Sequence, residues 1–196
     1  RMGKIRLGIK VTNDRGTSYP KEVDYFILAP AVANLDEKKR LIDIFHQKYG
    51  EQPKSLPIMF PMGDIEKVFP QYYKAYGKTT LLKCKGDGIE ALTNDPEYIK
   101  ALEVVGDDEF GKRVKCRGKE CPFYKSKQCS ESAALSFLIP ELPGSGVWQI
   151  NTGSIHSILN INSCFDYIRV VAGRFHMIPL KLERRTQAIT HGGKAV

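Results

Sequence analysis

CRGKECPFYKSKQC, residues 116–129, sets Cys116, Cys121 and Cys129 as C-x4-C-x7-C inside a segment crowded with lysine and arginine. A fourth cysteine, Cys84, stands well upstream in LLKCKGDG, residues 81–88. Four thiolates satisfy the tetrahedral preference of Zn2+, and a single ion ties together ligands from two distant stretches of chain. The spacing reads as a structural zinc site made by Cys84, Cys116, Cys121 and Cys129, closing an inserted basic subdomain over residues 84–130 of one domain that spans 1–196. It is looser than paired C-x2-C knuckles, so two other readings stand beside it: free cytosolic thiols and, third, a disulfide pair. Arg1 to Val11 lacks the apolar core of a secretory leader, which weakens the disulfide reading and points to the cytoplasm. Cys164 lies in a predicted helix and reads as a small buried apolar residue.

Charge concentrates on the same segment. Between Gly111 and Cys129, seven basic residues, Lys112, Arg113, Lys115, Arg117, Lys119, Lys125 and Lys127, face one acid, Glu120, in a chain of net charge +8. Such a strip suits phosphates or an acidic protein surface. It also suits a solvated face that keeps a small module soluble. Upstream, Phe69, Tyr72, Tyr73 and Tyr76 interleave with Lys67, Lys74 and Lys78, as stacking and charge on single-stranded nucleic acid require. Tyrosines at a domain edge, with wet hydroxyls, give the same pattern.

Working outward, Lys4–Val11 alternates polar and apolar strictly and predicts a strand. NDRG supplies a turn, and Val23–Leu28 resumes the strand until Pro30. Asn34, three residues before Glu37, predicts the N-cap of a helix of roughly four turns that ends at Gly50. His46 on this helix has no partner at ligand spacing and reads as a surface or boundary residue. SLPIMFP, residues 55–61, predicts an edge strand. Thr79–Lys83 predicts a strand that delivers Cys84, and KGDG a sharp turn with two glycines free to take positive φ; Asp87 between them reads as holding the turn, the commoner role, or as coordinating a metal. A short helix is predicted from Pro96 to Leu102, and VVGDDEFGKR, residues 104–113, reads as a polar loop.

Beyond Cys129, Leu135–Ile139 and Val147–Ile150 predict strands around a rigid PELPGSG loop. Ile155, Ile158, Ile161, Phe165, Ile168 and Ala172 recur at steps of three and four, on one face of a helix that ends before Gly173. Asn160 and Asn162 interrupt it with poor helix formers, a place for a kink or a buried polar contact. Phe175–Arg185 predicts a last strand, and THGGKAV a frayed end. The fold class is α+β, with a mixed or antiparallel sheet, two main helices and the inserted four-cysteine zinc-binding subdomain, because strands cluster at both ends rather than alternating with helices. No apolar run reaches the roughly 20 residues of a membrane span.

The order of GKIRLGIK (3–10), IMFP (58–61), LLKCKGDG (81–88), the basic cysteine cluster, PGSGVWQINTGSIHSILNINS (143–163), YIRVVAGR (167–174) and IPLKLE (178–183) resembles the recombination directionality factors of phage large serine integrases. It is similar also to their relatives in phages and integrated elements, often described as metal-binding proteins. The resemblance covers roughly Gly3 to Glu183 and is most specific over Gly144–Ser163. It implies a protein without an active site that binds a serine integrase and sets the direction of site-specific recombination, toward excision. It also implies Cys84, Cys116, Cys121 and Cys129 as zinc ligands. The residues agree with a non-enzyme: there is no G-x-x-x-x-G-K-[ST] loop, G-x-S-x-G elbow or H-E-x-x-H helix, and His46, His156, His176 and His191 are scattered. The alternative is a phage protein of replication or recombination that binds duplex or single-stranded DNA through Tyr72, Tyr73 and the basic cluster. A zinc hydrolase is disfavoured because four thiolates leave the metal no open position.

Overall fold

The computed structural model describes residues 1–14, 16–77, 81–144, 146–185, 190–191 and 194–195. Thr79 and Thr80 of the predicted 79–83 strand, Lys78, Arg15 of NDRG, Ser145 of PELPGSG, and Gly192, Gly193 and Val196 of THGGKAV lie outside the described residues. Of that terminal segment, Thr190–His191 pairs with Lys194–Ala195. The fold is α+β with a mixed sheet and, among the described residues, five α-helices. None of these helices is long and apolar enough to cross a membrane. The chain divides into two compact units, residues 1–63, 135–150 and 174–196 in the first, 64–134 and 151–173 in the second.

In the first unit, β1 (Gly3–Thr12) follows the predicted alternation only as far as Arg6, since a register shift between Arg6 and Gly8 interrupts it and leaves Ile9 exposed, and it pairs antiparallel with β2 (Ser18–Pro30), which begins well before the expected Val23. The alternation turns Ile5, Phe26 and Leu28 inward to a buried core that also holds Trp148. α1 (Leu35–Tyr49) starts where the sequence places it: the Asn34 side chain accepts from the Asp36 and Glu37 amides at 2.8 and 3.2 Å. The helix packs on β2 and buries Leu41 and Phe45. His46 is half-buried, its Nδ1 3.5 Å from Glu51. β3 (Ser55–Ile58) pairs antiparallel with a strand near the end of the chain, Leu180–Glu183, which is shorter than the predicted 175–185 because Phe175 turns into the core edge-on to Phe60 at 5.8 Å.

In the second unit, α2 (Ile65–Val68) leads into an antiparallel sheet of β4 (Gln71–Tyr76), β5 (Leu82–Gly86), β6 (Glu90–Thr93), β7 (Val104–Asp108) and β8 (Gly111–Lys115), with α3 (Pro96–Ala101) between β6 and β7. The polar loop expected over 104–113 is therefore a hairpin. Its strands show no hydrophobic alternation because β7 is an edge strand with Val104 and Val105 exposed, while β8 buries only Val114. α4 (Pro122–Lys125) precedes β9 (Cys129–Phe137), whose first half pairs with β4, and β10 (Trp148–Thr152) leads to α5 (Ile155–Ala172). α5 buries Ile158 and Phe165, the latter 6.2 Å from the Phe69 ring. Asn162 makes a polar contact, but an exposed rather than a buried one, a reciprocal amide pair with Gln71 at 2.9 and 3.3 Å. Cys164 is exposed rather than buried, because one residue short of Phe165 turns it about 100° away from the apolar face. The strand Leu180–Glu183 is β11.

Candidate functional site

Strand register assembles the centre of the second unit. Cys129 lies opposite Ala75, Ala75 opposite Cys84, and Cys84 opposite Thr93. One step along, Tyr73, Gly86, Ala91 and Val114 form the neighbouring row. Residues paired directly across strands share a face, so Cys84 and Cys129 point to the same side over a floor of small side chains. Cys116 follows β8 directly, and Cys121 caps α4, which Pro122 opens at a position where a missing N–H costs nothing. The four cysteines line one cavity of about 10 Å3, closed by Tyr73, Tyr98 and Phe123. That is the room one water-sized sphere needs. The ring of Tyr98 from α3 stacks on Phe123 from α4, and Tyr73 meets Tyr124 edge-on at 5.8 Å.

The electrostatics of the cavity run against four bare thiolates. Burial, then the neighbouring thiols, push the Cys84 pKa up to about 12. The same causes in the same order push Cys129 to about 11. A divalent cation reverses this logic, since a coordinating thiol loses its proton outright. All five cysteines are free thiols. Among the described residues, no group of three or more His, Cys, Asp or Glu side chains closes to ligating geometry. Four cysteines are the donor set that a thiophilic cation takes, and Gly86 leaves room beside one of them: a Cβ there would lie 2.7 Å from the Cys116 Sγ. Of the two glycines free to take positive φ, Gly88 does so (+106°) and Gly86 does not; its bare backbone makes room for sulfur instead. Asp87 holds the turn, accepting from the Ile89 and Glu90 amides at 2.8 and 2.9 Å.

The basic residues are not a bare cationic strip. Lys112 pairs with Asp107, Arg113 with Glu90 at 3.6 Å, Lys115 with Glu103 at 3.4 Å, Lys119 with Glu131 at 3.9 Å and Lys125 with Glu120 at 2.6 Å. Arg117 and Lys127 make no ion pair with a described acid. Most of these acids come from β6, β7 and the start of β9, so the local sequence count between Gly111 and Cys129 could not anticipate them. Tyr72 and Tyr73 are separated by the pleat: Tyr73 lines the cysteine cavity, while Tyr72 sits under Lys85, whose Nζ is 4.0 Å from its ring centroid, and Lys74 at 5.7 Å. The Tyr98–Phe123 stack and the role of Gly86 were missed in the sequence. A glycine inside a strand pattern is the signal of a close approach that points to Gly86.

The geometry defines an α+β protein with a cysteine-centred sheet module. Residues 2–196 match a family model described as Gp3-like, recombination directionality factor-like, and the chain belongs to that family. That family description points to a recombination directionality factor-like role. No curated protein and no solved structure matches the chain.

Proposed function

We propose that this protein binds a DNA-bound serine integrase and shifts which pairs of attachment sites it recombines, favouring excision, without catalysing a reaction itself. The family match over residues 2–196 carries this reading. A partner moves such an equilibrium only by binding one arrangement of the integrase more tightly than another, and a hundredfold preference corresponds to about 2.7 kcal/mol. Within this reading Cys84, Cys116, Cys121 and Cys129 hold one structural Zn2+, which cross-links β5, the end of β8, α4 and β9. The ion supplies folding energy and no chemistry. The shared cavity and the bare Gly86 support that assignment.

Recombination assays with the cognate integrase test it: adding the protein should open recombination between the two hybrid attachment sites, and unchanged product ratios would falsify the directionality reading. Metal analysis of the purified protein should find about one zinc per chain, as a four-ligand site takes. Binding of single-stranded DNA has less support, because five of the seven basic side chains are already paired with acids and Tyr72 and Tyr73 face opposite sides of the sheet.

A further inference from the structure

The first unit carries a groove of about 390 Å3 on the outer side of β1 and β2, lined by Arg1, Lys4, Arg6 and Lys38 and by no acid. The β1–β2 register explains it. Lys4 stands opposite Ala29 and Arg6 opposite Ile27, so two cations project from β1 beside two apolar side chains of β2. Lys4 and Arg6 are two residues apart on one face, about 6.8 Å along the strand. Lys38, in the first turns of α1, and Arg1 complete the rim, and Arg1 donates to the Gln149 side chain at 2.9 Å. Lys4, Arg6 and Lys38 form no ion pair with a described acid, whereas the cations around the cysteines are mostly neutralised by acids. Four cations around a concave surface repel one another until an anion enters.

We propose that this groove is a docking site for an acidic, partly apolar segment of a partner protein, lying along β1 with its carboxylates on Lys4 and Arg6 and an apolar side chain over Ile27 and Ala29. Charge sets the sign of the occupant, and the floor sets its class. No described lining residue is aromatic, so a nucleic acid would find charge but no ring on which to stack a base. An extended segment with an acid at every second residue sets its carboxylates on one face about 6.8 Å apart, the spacing of Lys4 and Arg6. Arginine in particular accepts a carboxylate through two parallel N–H donors. The inference stands apart from the integrase reading, because it concerns the chemistry of the occupant and not its identity.

The experiment is fluorescence anisotropy of the full chain with four labelled probes: a peptide of alternating Glu and Leu, its Gln/Leu counterpart, and a single-stranded and a duplex oligonucleotide of matched length. The Glu/Leu peptide should bind more tightly than the Gln/Leu peptide by at least tenfold at low salt. Lys4→Glu/Arg6→Glu should abolish that binding, and Lys4→Gln/Arg6→Gln should weaken it, with circular dichroism and melting unchanged in the second variant. Lys85→Glu, in the other unit, should leave it intact. Equal affinity for the two peptides, or Glu/Leu binding that survives both double variants, overturns the proposal. Oligonucleotide binding that exceeds peptide binding and is lost in the same variants assigns the groove to nucleic acid and overturns it equally.

Discussion

The ring of Tyr98 lies flat on that of Phe123, with centroids 3.8 Å apart and planes 16° from parallel. One ring comes from α3 and the other from α4, so the stack joins the two short helices over the cysteine cavity. The buried neighbours are small, Ala75, Ala91, Val114 and the cysteines, so the two rings are the largest buried side chains of that cluster. Truncating Phe123 to alanine should cost about 3–5 kcal/mol, read as a lower urea midpoint at unchanged slope. A loss below about 1 kcal/mol would mean that the stack does not hold the module.

Gly86 offers a test that leaves every cysteine in place. Gly86→Ala puts a methyl 2.7 Å from the Cys116 sulfur and 2.8 Å from the Ala91 methyl. Overpacking of this kind costs about 1–3 kcal/mol. If the thiols share a metal, the variant should also carry less zinc per chain than the parent, measured by mass spectrometry on freshly purified protein. Equal zinc in the two proteins would detach Gly86 from the metal site.

Asp87 gives a pH signature. The Ile89 amide, with that of Glu90, holds its carboxyl below the ordinary 3.8. A folded-state pKa below the unfolded one contributes stability that is present above 3.8 and is lost as pH falls through the lower folded value. Asp87→Asn should therefore be less stable than the parent at neutral pH, with the gap closing in acid. Urea midpoints from pH 7 down to the acid limb check the sign; a gap that widens in acid would contradict it.

Asn34 is the cleanest helix test. Its side-chain oxygen accepts from the Asp36 and Glu37 amides, and Asn34→Ala leaves both donors without it. The expected cost is about 1 kcal/mol, measured by thermal or urea unfolding. No change would mean that water replaces the cap at no cost.

The elements that the sequence announces are those with strong local signals. β1 alternates, α1 has its cap and its stop, and α5 keeps a three-four apolar rhythm up to Gly173, so each could be read within a window of a few residues. The β7–β8 hairpin could not, because an edge strand with Val104 and Val105 exposed and Val114 alone inside has no periodicity to read. The candidate site was half legible. Cys84, Cys116, Cys121 and Cys129 stand out by identity, and they do converge on one cavity. What surrounds them depends on pairing across strands: Gly86 reads as a turn glycine until Cys116 is seen beside it, and Lys115 reads as free charge until Glu103 is found at 3.4 Å. Cys164 failed for a simpler reason, a rotation of one residue on α5 that no composition argument resolves.

The pairing of Lys112, Arg113, Lys115, Lys119 and Lys125 with nearby acids limits the range at which the cysteine module is felt. A cation beside an anion presents a dipole, whose field dies faster with distance than that of a lone charge, and at physiological salt the remainder is screened within about 8 Å. A molecule diffusing toward this module is therefore drawn in only weakly from afar. What remains to steer an encounter is chiefly Arg117 and Lys127, so the rate of first encounter there depends on ionic strength less than seven basic residues alone would make it.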